Sequence, residues 1–543
     1  MRYFVQCSIA LLFIFFTSCT EDKIGTIPGN SAKINSADTI YSGILAADKN
    51  TIISDISSAN GFTSITLKNG KTVLLAKDNL VKYKINNYNW NVELTYADNS
   101  SQVLTYIGKE IKISTDSITL NPYGYAPLSA LLSFTTPVPG RFKITVKSKS
   151  DKIPPISSSF TNYTKTHKIP IYGLYGNYLN KVIIEFSDFY GNFHTTTSVE
   201  IQTAEIGRLY AGNLSVQEEN YSYEESDRLI LIENAIYDVS GEVRWYTTLS
   251  GINFFALANG VVAIQRYADR GRNTTGDEIQ LVNFIGEDLG YYTVPHGMHH
   301  EINEKEPDGN LLVASHRNDY VTLDNDTEDL IVEIDRNTRE VVKTWNLYEI
   351  FDPERERLRT EQANDWCHMN SIEYDPSDTS LIFSSKLQYM ISKIDYNTGA
   401  IKWILGNHEN WTEEFQPYLL TPTNFDTSVD TNADWTYAQH APRLTPDGNI
   451  VVYDNGLKRP GGGYTRAVEF SINPKDMTVT KVWDYTVSSS ATAYVGSTHY
   501  LDNKNILIGH GAAGMVYEVT HTGDIIFQAK CLTFYRSYPV KFY

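Results

Sequence analysis

The stretches that decide the fold are DGNLLVASH (308–316), DTSLIFSSK (378–386) and DGNIVVYDN (447–455), each a turn running into a short apolar strand. Three more of the same kind, RLILIENA (228–235), NGVVAIQR (259–266) and NKNILIGHG (503–511), bring the count after residue 205 to six. Most continue through a second strand and a turn into a third, as in DLIVEIDRNTREVVKTW (329–345) and YMISKIDYNTGAIKWIL (389–405). The turns carry Asn-Thr-Gly and its kin, where a hairpin needs Gly or Asn at positive φ. Four strands per unit, at about 50 residues each, is the arithmetic of a β-propeller. The expected fold is therefore all-β, with six blades over 206–543 closed around a central channel. An insertion, NLYEIFDPERERLRTEQAND (346–365), breaks the strand pattern with helix-forming charged residues and is expected to cover one mouth of that channel.

The remainder of the 543-residue chain is organised around this unit. Residues 1–18 read as a signal peptide: Arg2, an apolar run to Phe16, then small residues before Cys19. The pattern is similar to the lipobox of bacterial lipoproteins, which makes Cys19 the expected lipidation site. Residues 19–50, rich in Ser, Asn, Thr, Asp and Gly, form a tether. We expect export and a lipid anchor in the periplasm or on the outer membrane. Residues 51–117 read as a short β segment with an Asn69-Gly70 hairpin, and 118–205 as an N-terminal β-sandwich. Lys and Arg total 46 against 64 Asp and Glu, a formal charge of −18, so no nucleic-acid partner is expected. Without Cys7 and Cys19, the remaining thiols Cys367 and Cys531 make no disulfide framework.

Aligning the blades on their turns places MHHEINEKEPDG, CHMNSIEYDPSD and QHAPRLTPDG in register on the strand nearest the channel. His368 and His440 each precede an apolar anchor, Ile372 and Leu444, by four residues, and His300 fits if its blade carries one extra residue. One such histidine reads as a hydrogen-bonded structural residue. Three at one repeat position point to function, because blade packing calls for small or apolar side chains there. They should converge on the channel. A three-histidine zinc site is the rival, but the chain offers no His-x-His or His-Glu-x-x-His spacing. Lys386, His316 and Arg317 end strands in neighbouring blades; they either face solvent along their stems or make a positive mouth that attracts a small anion.

These motifs resemble the bacterial arylsulfate sulfotransferases, the PAPS-independent family of six-bladed propellers. The likeness is carried by LNPYGYAPLSALLSF (120–134), HKIPIYGLYGNYLNKVIIEF (167–186), GMHHEI (297–302), DWCHMNSIEYDP (365–376), LIFSSKLQYMISKIDYNTGAIKWILG (381–406), QHAPRLTPDGN (439–449) and FYRSYP (534–539). The resemblance implies an aryl sulfate donor, a phenolic acceptor and no cofactor. It makes His440 the nucleophile, with His300, His368 and Lys386 as its catalytic partners, and His299, Arg317 and Asn370 as substrate-binding residues. Where the family has Ser-Ser-Arg, this chain has Ser384-Ser385-Lys386, which keeps the charge and loses the bidentate fork. The implied mechanism is ping-pong through a sulfohistidine, with protonated His300 or His368 and Lys386 stabilising charge and a pH optimum above neutrality. The family also admits a homodimer. Two other activities fit the same residues: a surface propeller that binds a small ligand or glycan without chemistry, and a hydrolase that uses water as acceptor.

Overall fold

The computed structural model describes residues 117–543 except 189–193, 224, 268–275, 318–328, 353–354, 356–364 and 429; before 117 it describes the strands between 40 and 106 and the turn at 97–100. The signal peptide, Cys7, Cys19 and most of the tether lie outside the described residues. Between 51 and 117 the backbone forms a three-stranded antiparallel sheet (Ile53–Ala59, Phe62–Leu67, Thr72–Leu75) and most of a five-stranded one, Leu80–Asn86, Asn91–Tyr96 and Ser101–Tyr106, which two short strands at 40–45 complete. The next domain is a single hydrogen-bonded sheet built on the 17-residue strand Ala130–Val146, whose pairing with Ile156–Ile171 shifts register around Gly140. A Cβ at Gly140 would run into the Phe186 ring, so the close approach that lets the sheet fold over its core of Leu132, Phe142, Ile144 and Val182 needs glycine.

The propeller is six-bladed. Each of the six apolar runs becomes the second strand outward from the channel: Leu229–Ile232, Val261–Tyr267, Leu311–Ser315, Ser380–Ser385, Ile450–Asp454 and Ile506–His510. They are almost uniformly apolar because both faces are covered by neighbouring blades, which leaves no polar side to alternate with. Leu312, Ala314 and Ile331 of the third blade pack against Ile372, Leu381 and Phe383 of the fourth; Ile382, Ile391 and Leu405 of the fourth meet Val452, Val468 and Phe470 of the fifth. Each such fully buried Leu, Ile, Val or Phe side chain contributes about 1.5–3 kcal/mol. The outer hairpins turn on one device repeated in successive blades. Asp335 Oδ1 accepts the backbone N–H groups of Asn337 (2.9 Å) and Thr338 (2.7 Å), and Asp395 Oδ1 those of Asn397 (3.0 Å) and Thr398 (2.9 Å).

Two features join the blades. The 17-residue strand Asp288–Glu304 is the outermost strand of the second blade in its first half and the innermost of the third in its second half, so the two share one seven-stranded sheet. The ring is closed twice. Ser537–Val540 becomes the innermost strand of the first blade, and Ser215–Glu219 is added to the outer edge of the sixth. The sheet domain before residue 205 docks on the first two blades through Ser129 Oγ to the Phe284 carbonyl (2.7 Å) and Arg244, which donates to the Gly173 carbonyl (2.7 Å) and pairs with Asp238 (3.0 Å). Of the 346–365 insertion, Leu347–Ile350 is helical, capped by Asn346. Arg355 is buried against Gln388 and Asn407, and most of the segment expected to cover the channel lies outside the described residues.

Candidate active site

The innermost strands of blades three to five are all interrupted by a bulge at one height. Met298–Ile302 faces only Ser315–Val313, two residues too many, whereas Met369–Ser371 and His440–Arg443 carry one extra residue each. His300 (φ +50°) and Ala441 (φ +49°) lie within these bulges and His368 (φ +48°) immediately before one, all in the left-handed region, strain that costs non-glycine residues about 1–3 kcal/mol. The kink re-aims the side chains into the channel. His300 and His368 meet ring to ring at 4.6 Å, and the charges felt by His300 are those of His368, His299, His440 and Lys386. The structure thus brings His300, His368, His440 and Lys386 together. Lys386 is half-buried, its backbone N–H donating to the His368 carbonyl (3.1 Å).

Hydrogen-bond partners settle which nitrogen of two of these rings carries a proton. His440 Nδ1 lies 2.7 Å from Asn455 Oδ1 and 3.1 Å from the Ala438 carbonyl. The amide orientation of Asn455 follows from its Nδ2, which donates to Thr492 Oγ1 (2.9 Å) and the Val495 carbonyl (3.1 Å). Both neighbours of Nδ1 are acceptors, so Nδ1 carries the hydrogen and Nε2 the lone pair. Burial, the Lys386 charge and, more weakly, Arg536 hold His440 well below the ordinary imidazole range, against the hydrogen bond to Asn455. His368 Nδ1 donates to Asp365 Oδ2 (2.6 Å), and Asp365 Oδ1 accepts the His368 backbone N–H (2.9 Å). A fully buried carboxylate thereby orients the ring.

Beneath the histidines the channel is filled by a charged network that spans the ring. Arg536, on the loop entering the first blade, donates to Glu301 Oε2 of the third (2.5 Å) and to the Asn370 carbonyl of the fourth; Arg443 of the fifth also donates to Glu301 (3.0 Å). Burial pushes the Glu301 carboxyl up, but the two guanidiniums more than offset it. Two cations share one carboxylate, so Glu301→Gln leaves them without a counter-charge in the interior. We expect a loss of about 3 kcal/mol in stability, measured by chemical denaturation. On the far side of this network lies a separate cavity of about 650 Å³ lined by Glu373, His499, Tyr538 and Phe542.

The other site residues expected from sequence are placed differently. His299 stands behind His300, not in the pocket, with Nε2 3.1 Å from the Ser315 carbonyl and Nδ1 3.0 Å from His300 Nδ1. Arg317 pairs with Asp329 (3.1 Å) and lies over the Tyr348 ring (3.8 Å), so its guanidinium is engaged away from the histidines. Asn370 is fully buried and spans two blades, Nδ2 donating to the Gln439 carbonyl (2.8 Å). Asp365, Asn455, Glu301 and Arg536 were not singled out from sequence. Asp365 and Arg536 stand inside quoted motifs, three residues before His368 and within FYRSYP, and Asn455 ends a quoted strand. Cys367, beside His368, points into the apolar cluster with Trp366, Met369 and Phe383, and neither Cys367 nor Cys531 is in a disulfide. Among the described residues no three His, Cys, Asp or Glu side chains are grouped to hold a metal ion.

Residues 215–533 match the arylsulfotransferase (ASST) family, and residues 117–204 match the arylsulfotransferase Ig-like domain. The chain belongs to the arylsulfotransferase family. It is 26% identical over 515 residues to the arylsulfate sulfotransferase AssT of Escherichia coli O6:H1, covering 74% of this chain and 86% of that one. It is 25% identical over 519 residues to AssT of Lelliottia amnigena, with the same coverage. Among solved structures, the β-propeller domain of Myceliophteria thermophila Cps50 (Swd1) covers 59% of this chain and 87% of its own at 12% identity and a TM-score of 0.34, too low for any argument. As a member of the family, the protein is an aryl-sulfate sulfotransferase.

Proposed function

We propose that the arylsulfotransferase works by ping-pong transfer through a sulfohistidine at His440, without PAPS. The observation that carries this reading is the tautomer of His440, whose Nδ1–H is spent on Asn455 and Ala438 and whose Nε2 lone pair remains for attack. Nε2 forms a bond to sulfur as the bond from sulfur to the phenolic oxygen breaks, and the electron pair leaves with the phenolate. Charge builds on the sulfuryl and leaving oxygens, where Lys386 and the His368–Asp365 pair supply positive potential. Lys386 does this as a point charge, without the planar fork an arginine would bring. A pocket floored by the Glu301–Arg443–Arg536 network suits reactants that enter and leave by one mouth in turn, which favours a covalent intermediate over simultaneous binding of both phenols. We also propose export and membrane anchoring through Cys19.

The test is single-turnover mixing with p-nitrophenyl sulfate carrying labelled sulfur. One equivalent of nitrophenolate released before any acceptor is added, with label retained on His440 and discharged by phenol, is the expected result. Release that waits for phenol would overturn the covalent route.

We place the acid limb of the pH profile lower than an ordinary imidazole would set it. With an ordinary imidazole, the acid limb of activity would fall near pH 6.5. Burial and the Lys386 charge disfavour the imidazolium of His440, so the limb moves to lower pH. Donor kcat/KM should hold level through about pH 6.5 and decline only below it; a midpoint at or above that value would contradict a buried, positively flanked nucleophile.

A further inference from the structure

The channel histidines of blades four and five occupy one repeat position, yet the groups behind their rings differ in kind. His368 Nδ1 faces a carboxylate, Asp365 Oδ2, at 2.6 Å. His440 Nδ1 faces an amide oxygen, Asn455 Oδ1, at 2.7 Å and the Ala438 carbonyl at 3.1 Å. The Asn455 side chain is fixed from its far end by Thr492 and Val495, and its own backbone carbonyl accepts the Thr492 N–H (3.0 Å) and Thr465 Oγ1 (3.0 Å). Asn455 is fully buried, which closes that side of the His440 ring to bulk water.

This difference matters once sulfur is attached. Attack through Nε2 leaves a ring that carries the Nδ1–H and the Nε2–S bond together, a sulfo-imidazolium. The sulfuryl group withdraws electrons, so this Nδ1–H is a stronger acid than that of an ordinary imidazolium. A buried carboxylate hydrogen-bonded to it would take the proton. An amide oxygen and a peptide carbonyl accept hydrogen bonds but are not bases near neutral pH. A ring that keeps the proton departs from sulfur as neutral imidazole. One that has lost it must depart as the imidazolide anion, a far poorer leaving group.

From this contrast we propose that Asn455 is a positioning residue whose uncharged amide keeps the Nδ1 proton on sulfated His440 and so keeps the intermediate transferable. The inference rests on the sulfohistidine reading above. In the return step the acceptor, its proton already lost to water, bonds to sulfur through oxygen. The bond from sulfur to Nε2 breaks, and its electron pair returns to that nitrogen. His440 ends as the neutral Nδ1–H tautomer from which it began, and no proton moves at the ring. The charges that bear most on His440 are those of Lys386 and His368 from the fourth blade and Arg536 from the loop entering the first, and His300 of the third couples to it. None is a carboxylate. Asp454, next to Asn455, is paired with Arg466 (2.9 Å) and with Arg459. Among the described residues, therefore, a base stands at Nδ1 of His368 and none stands at Nδ1 of His440.

The experiment separates the two half-reactions. Wild type, Asn455→Asp and Asn455→Ala are loaded with label from p-nitrophenyl sulfate, freed of donor and mixed with phenol. The alanine variant removes the amide without supplying a base, so it measures what is lost through packing and ring orientation alone. Asn455→Asp should still release a burst of nitrophenolate and retain label, yet discharge it about 10²-fold more slowly than Asn455→Ala. Discharge from the two variants within a few-fold of each other, or from Asn455→Asp at the wild-type rate, overturns the inference and leaves Asn455 a packing residue. Should either variant fail to fold or to load, nitrogen NMR of the wild type with isotope-labelled histidine decides. In protein loaded and kept from acceptor, a directly bonded hydrogen on Nδ1 of the sulfated ring supports the inference, and a bare Nδ1 refutes it. A wild type that takes up no label fails the covalent reading instead, which keeps the two claims apart.

Discussion

His440→Ala is expected to lower transfer by about 10⁴-fold or more, with no label retained on the protein and no burst of nitrophenolate. The effect is large because the substitution removes a bond-forming atom, whereas loss of a neighbouring charge only raises the barrier to a step that still occurs. His440 is 2% exposed and its ring is held by Asn455, so alanine opens a small cavity beside an amide that keeps its bonds to Thr492 and Val495. The near-ultraviolet circular dichroism should therefore remain native, which separates loss of the nucleophile from loss of the fold. Residual transfer within about tenfold of wild type would mean that donor and acceptor react directly with one another in the pocket, and the covalent route would have to be abandoned.

Asp365→Asn should cost about 10²–10³-fold in the forward half-reaction. The carboxylate is fully buried and receives both the backbone and the ring N–H of His368, which fixes the orientation of the ring. Asparagine matches its shape but presents an N–H to Nδ1 in one orientation. That hydrogen bond turns His368 to the opposite tautomer. The deficit should widen as the leaving phenol becomes more basic, so phenyl sulfate should suffer more than p-nitrophenyl sulfate when burst rates are compared. A deficit independent of the leaving group would assign Asp365 to packing alone.

Much of this molecule could be read before its structure, for reasons that differ from element to element. The six apolar runs announced the blades because a strand covered on both faces cannot alternate, and their spacing is a property of the chain. The convergence of His300, His368 and His440 was legible because repeats superpose, including the extra residue in the third blade that the bulge at Met298–Ile302 accounts for. Asp365 lay within a quoted motif yet meant nothing there, since its role depends on how three residues fold back before a strand. The Arg536–Glu301 contact joins positions 235 residues apart, and Arg536 meets Asn370 across 166. No local pattern encodes a bond across the diameter of a ring. The placement of His299 and Arg317 was not legible for a related reason: adjacency in sequence put them near the channel, while Ser315 and Asp329 decide where their nitrogens are spent. The expected alkaline optimum assumed solvent-like imidazoles, and burial is a tertiary quantity.

The double closure of the ring bears on how the protein is made. Blades two to five can take shape as they leave the ribosome, but the first blade lacks its innermost strand until Ser537–Val540 has been synthesised. The same late segment supplies Tyr535 and Arg536, which hold the His300 backbone and floor the pocket. A nascent or prematurely released chain thus carries all three histidines and yet no assembled pocket, so sulfuryl chemistry is withheld until translation has passed the closing strand.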